Sequence, residues 1–105
     1  MFLDMDYYAN PARGNVPTWI NEMAEMTWHH WLTFDGFSAA ASVSAPTVLV
    51  HSDGSVLPDN VRKVAGNLRG PAEIIWGEGA QTDFYDQPAQ VRFAADAVDA
   101  HFQKT

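Results

Sequence analysis

Cysteine is absent from the 105 residues, which excludes disulfides, thiolate metal sites and thiol nucleophiles and fits a reducing compartment. Basic side chains are scarce: 6 Lys and Arg stand against 13 acids, for a net charge of -7. That balance repels a phosphate backbone, and no Lys/Arg cluster offsets it locally, so nucleic acid is not an expected partner. No apolar run reaches the roughly 18 residues that a membrane-spanning helix needs. The opening MFLDMDYYAN carries acids where a signal peptide would carry a basic region, so a cytoplasmic chain without a membrane partner is expected. Metal-ligand spacing is lacking too. His29 and His30 are adjacent rather than one helical turn apart, and no cofactor is expected.

What the sequence does contain is apolar mass: 47% hydrophobic residues, with four Trp and six Phe, well above the level of a disordered chain. One domain at most is expected at this length, with a core that has little to spare. Residues 1–44 are aromatic-rich and irregular, punctuated at Asn10-Pro11, Arg13-Gly14 and Val16-Pro17. From Pro17, TWINEMAEMTWHHW has near-helical spacing at Ile20, Met23 and Met26 and predicts one helix or two short ones. Asp35 is placed to cap a short alanine-rich helix, and Pro46 closes the segment.

Residues 45–105 carry the firmer pattern. Thr47 to His51 is a β-branched run ending in the turn-forming SDGS, and Ala72 to Trp76 is a second strand-like run. Between them Val61, Val64, Ala65 and Leu68 mark one face of a helix that opens at Pro58 and stops at Gly70-Pro71. After a DFYDQ loop, Val91, Ala94, Ala95, Val98 and Phe102 define the apolar face of a last helix starting near Pro88. Strand, helix, strand is a βαβ unit, so the fold class is α/β, with two parallel strands and flanking helices. Two continuous apolar strands are too few for a self-sufficient parallel sheet. The expected remedy is a missing N-terminal half of a larger domain, or self-association with another copy.

The stretch APTVLVHSDGSVLPDNVRKVAGNLRGPAEIIWGEGAQTDFYDQPAQVRFAADAVDAHF resembles the C-terminal end of an α/β-hydrolase, and residues 7–46 resemble the lid and connecting helices of one hydrolase subgroup. The resemblance implies a strand that delivers the triad acid, a crossover helix, a last strand and a Gly-containing loop that delivers the catalytic histidine. It also implies an ester or related acyl substrate. By this alignment the acid position falls on Gly54, four residues before Pro58, and Asp53 lies one residue away as a shifted candidate. The histidine position falls on Gln81, within Gly79-Ala80-Gln81-Thr82-Asp83. A carboxamide donates and accepts hydrogen bonds but cannot cycle a proton as a triad base must. The subgroup tends to carry Gln there as well. No G-x-S-x-G nucleophile elbow is present. The nearest stretch, Gly36-Phe37-Ser38-Ala39-Ala40, would need a strand–turn–helix setting to make Ser38 a nucleophile, and a helix start capped by Asp35 explains it more simply.

The chain is therefore expected to be α/β-hydrolase-like but to lack nucleophile and catalytic histidine. A non-catalytic small-molecule-binding or self-association module is the alternative. His51, at the end of the first strand, is placed where α/β sites form, and Trp28 and Trp31 are candidates to line an acyl pocket, with packing as the simpler reading. Asp83, Tyr85 and Asp86 read as a helix-entry loop whose carboxylates accept backbone N–H groups. His101 suits the C-terminal end of its helix.

Overall fold

The computed structural model describes residues 6–18 and 22–104. The chain runs α1 (Asp6–Ala9), α2 (Thr27–Thr33), a 3₁₀ turn (Ser38–Ser42), β1 (Thr47–Gly54), α3 (Pro58–Asn67), β2 (Ala72–Ala80), α4 (Asp83–Asp86) and α5 (Pro88–Lys104). The expected α/β organisation is present: β1 and β2 pair in parallel, from Thr47 opposite Ala72 to Ser52 opposite Gly77. The register shifts between Ser52 and Gly54, which lies opposite Ala80.

Both strands run further than their apolar cores suggest. The SDG of the expected turn remains in β1, and β2 continues through Gly77 and Gly79 to Ala80. Glycine reads as a breaker in sequence, but here it makes room. A side chain at Gly77 would collide with the Phe93 ring and crowd that of Phe84, and one at Gly54 would collide with the Gly79 carbonyl. The helices approach β2 at Gly77, and the strand ends approach each other at Gly54, because these positions lack a Cβ.

Alternate residues face different helices, as the pleat demands. Trp76 lies under Arg62 of α3, with the guanidinium 4.2 Å from the ring centroid, whereas Gly77 faces Phe93 of α5. The predicted face of α3 is the one used: Val61, Val64, Ala65 and Leu68 are all half-buried. On α5 the structure corrects the expectation at every position but Ala94. Gln90, Ala94, Ala97 and His101 are its half-buried positions, while Val91, Val98 and Phe102 stay 41%, 39% and 71% exposed.

In the N-terminal part, the helix expected from Pro17 is a turn at Pro17–Thr18 and a separate helix α2, with Trp19 and Ile20 outside the described residues. Asp35 does accept the amides of Phe37 and Ser38, at 3.0 and 3.1 Å, ahead of the 3₁₀ turn. The core is thin. Among the described residues only Ala40 and Ser52 are buried. No described helix is long and apolar enough to cross a membrane.

Candidate functional site

A cleft of about 350 Å³ lies at the C-terminal ends of the two strands, lined by Val50, His51, Ser55, Gln81, Phe84, Tyr85 and Ala94. This is the position where ligands enter open α/β sheets. Other clefts have similar volumes, such as an apolar one between β1 and α3 of about 370 Å³, so position and lining chemistry decide, not size.

Ser52 ties the strand ends together beside it. It is fully buried, its hydroxyl 2.7 Å from the Gly79 carbonyl oxygen and 2.7 Å from the Ser55 hydroxyl. The carbonyl only accepts, so Ser52 donates to it and Ser55 donates to Ser52. This pair clamps the end of β2 to the turn after β1. Gln81 supplies the next clamp. Its Oε1 accepts the Val56 amide at 3.2 Å, and its Nε2 donates to the Tyr85 hydroxyl at 2.8 Å. Tyr85 is hydrogen-bonded in turn to Tyr8, whose pKa is raised by burial, by the neighbouring tyrosines and by that bond. Gly79 takes φ of 120°, a value open to glycine alone, and so turns the chain toward Gln81.

Asp53 is placed elsewhere. Its carboxylate accepts Trp76 Nε1 at 3.0 Å and Arg62 Nη2 at 3.1 Å, and these two bonds, Trp76 first, lower its pKa. It shares no partner with Gln81 and does not line the cleft, so the structure does not bring the acid-position and histidine-position candidates together. His51 does line the cleft. Its Nδ1 lies 3.0 Å from the Ser52 carbonyl oxygen and its ring is 5.4 Å from that of Trp76. In the neutral ring that bond places the proton on Nδ1 and leaves Nε2 an acceptor.

Trp28 and Trp31 sit on α2, 54% and 67% exposed, with ring centroids 6.2 Å apart. They belong to another surface, where Trp31, His30 and Phe34 line a separate cleft. Ser38 starts the 3₁₀ turn and its hydroxyl donates to the Asp35 carbonyl at 3.4 Å, so it occupies no strand–turn–helix elbow.

The cluster that sequence reasoning missed is centred on Arg13. Its Nε and Nη2 donate side-on to the two Asp86 oxygens at 2.8 and 2.7 Å, and Nη2 also reaches Asp83 at 3.3 Å and the Thr82 carbonyl at 3.3 Å. Nη1 reaches Asp6 at 3.2 Å. The Asp86 carboxyl is thereby lowered to about 2. Asp83 turns its other oxygen to the Ala80 amide at 2.8 Å, the backbone role expected of it, although the expected DFYDQ loop is the short helix α4. The available signal was charge, an arginine in an acid-rich chain, but nothing in the spacing says that its side-on partner Asp86 lies 73 residues away.

No protein-family model, no curated protein and no solved structure matches this chain.

Proposed function

We propose that the chain is the ligand-holding C-terminal part of an α/β-hydrolase-type domain, in which the cleft at the ends of β1 and β2 receives the acyl portion of a small ester-type molecule. The observation that carries this reading is the state of Gln81. It stands where the resemblance calls for histidine, and its amide is engaged by the Val56 N–H and the Tyr85 hydroxyl. A group so held walls a pocket and does not shuttle protons. The remaining lining fits a short acyl chain: Val50, Phe84 and Ala94 are apolar, with Ser55, Tyr85 and His51 as a few convergent polar groups. Hydrolysis itself requires a nucleophile and a base from outside these elements.

The test has two arms. Isolated chain incubated with 4-nitrophenyl butyrate and a fluorophosphonate probe is expected to show neither turnover nor a covalent label. Titration with hexanoate is expected to shift the NMR resonances of Ser55, Gln81 and Tyr85 and leave those of α2 in place. Turnover that disappears in Ser38→Ala overturns the first arm, and unshifted cleft resonances overturn the second.

A further inference from the structure

We propose that Arg13 is a positioning residue for this cleft: it latches residues 6–15 as a strap across α4 and so fixes the side chains of Tyr85 and Gln81. The proposal rests on the cleft reading above, but its main measurements need no ligand.

The strap is shaped by its own sequence before it docks. Asn10 accepts the Ala12 amide on its side chain at 2.9 Å and the Arg13 amide on its carbonyl at 2.9 Å. The Gly14 amide returns to the Tyr7 carbonyl at 2.9 Å, and a side chain at Gly14 would collide with the Tyr7 ring. This fold-back presents Arg13, Tyr7 and Tyr8 together. Tyr7 then meets Tyr85 edge-on at 5.3 Å, and the Arg13 guanidinium lies 5.5 Å from the centroid of the Tyr7 ring.

Two routes connect the latch to the cleft. One passes through Asp83, which holds Arg13 with one oxygen and the amide of Ala80, next to Gln81, with the other. The second passes through Tyr8 to the Tyr85 hydroxyl and on to Gln81 Nε2. Gln81 Oε1 then holds the Val56 amide. Val56 precedes Leu57, a non-glycine residue in the left-handed region at φ 53°, so this loop needs holding.

Charge makes the latch conditional. Asp6, Asp83 and Asp86 all bond Arg13, and three carboxylates brought together without it repel one another. The side-on pair with Asp86 also requires a planar fork, which lysine does not have. The Arg13 side chain is only 15% exposed, so trypsin reaches the Arg13-Gly14 bond when the strap lifts.

The experiment uses the full chain and its Asp86→Asn, Arg13→Lys and Arg13→Asp/Asp86→Arg variants. Hydrogen exchange at the Val56 amide is expected to accelerate roughly tenfold in Asp86→Asn and Arg13→Lys, with the Leu49 and Val50 amides unchanged, as local opening requires. In Asp86→Asn, cleavage after Arg13 is expected to accelerate by a similar factor, and the charge swap to restore Val56 protection. Val56 exchange that stays at the wild-type rate while the strap is cleaved faster overturns the proposal. So does acceleration spread evenly over the sheet, which marks a merely structural pair. If hexanoate fails to bind the wild-type chain while Val56 still responds, the ligand reading fails and the latch stands.

Discussion

Ser52 has one proton and two oxygen neighbours, and the order of donation follows from that. It gives its proton to the Gly79 carbonyl and accepts one from Ser55, so alanine at 52 strips a donor from a part-buried carbonyl and an acceptor from Ser55. A lost buried partner of this kind costs about 1–3 kcal/mol. Urea denaturation of Ser52→Ala is expected to show a loss in that range, and Ser55→Ala a smaller one, because Ser55 leaves the Gly79 bond intact. Equal losses would mean that the bond to Gly79 adds nothing beyond the Ser52–Ser55 pair, and would sink this account of the clamp. Gln81 poses a different question at the same scale. Restoring the expected histidine supplies a base but nothing for it to activate: Ser52 is buried and committed, Ser55 is committed to Ser52, and Asp53 is held by Trp76 and Arg62. Gln81→His is therefore expected to give no acyl-enzyme burst with 4-nitrophenyl butyrate. A covalent adduct in the intact mass, mapped to Ser55, would show that the serine cluster is a latent nucleophile.

At the scale of elements, the docking of α1 on α4 depends on ionised Asp86. Its carboxyl is lowered from 3.8 to about 2, chiefly by the Arg13 hydrogen bonds. A carboxyl whose folded pKa is depressed contributes stability that is complete above its unfolded pKa and is lost as pH falls through the folded one. The strap is thus expected to hold above about pH 4 and to release as pH falls from about 4 to 2. The Arg13 Nε–H resonance reports it: a transition complete by pH 4 would place the latch on another carboxylate. The same elements show what the sequence made legible. The apolar face of α3 follows from helical periodicity, because packing on a sheet imposes it directly, and the positions of both strands follow from their continuous apolar runs. The strand ends do not, since Gly54 and Gly77 mimic turn residues while serving close approach, and Gly79 does so while supplying a positive φ. The strap was illegible for a third reason: its stability lies in an ion cluster between residues far apart in sequence, and local pattern carries no record of such pairs.

For the whole molecule, the decisive quantity is surface. A compact monomer of 11.6 kDa exposes about 5,800 Å², but this chain exposes 8084 Å². Its radius of gyration, 16.2 Å, likewise exceeds the roughly 13 Å of a compact domain of this length. The surplus of about 2,300 Å² lies at the upper end of what one permanent interface hides on each partner. Its apolar part is localised. Val91, Val98 and Phe102 form one strip along α5, while Trp28, Trp31, Leu32 and Phe34 form another on and just beyond α2. The strand edges differ as well, because β2 carries Glu73 and Glu78 while the one acid of β1, Asp53, sits at its C-terminal end and is paired with Arg62. Charge on an edge strand discourages pairing, so the edge of β1 is the one open to another strand. In a larger domain further strands would take that edge and cover α5. In isolation the chain has only copies of itself, and sedimentation velocity at micromolar concentration is expected to show association that weakens on dilution. The doubly substituted Val98→Glu/Phe102→Glu chain is expected to shift toward monomer without losing its near-ultraviolet circular dichroism, since both positions lie outside the half-buried face of α5. A wild-type chain that remains a compact, cooperatively unfolding monomer at every concentration would show that the exposed strips close on the chain itself and that the sheet needs no partner.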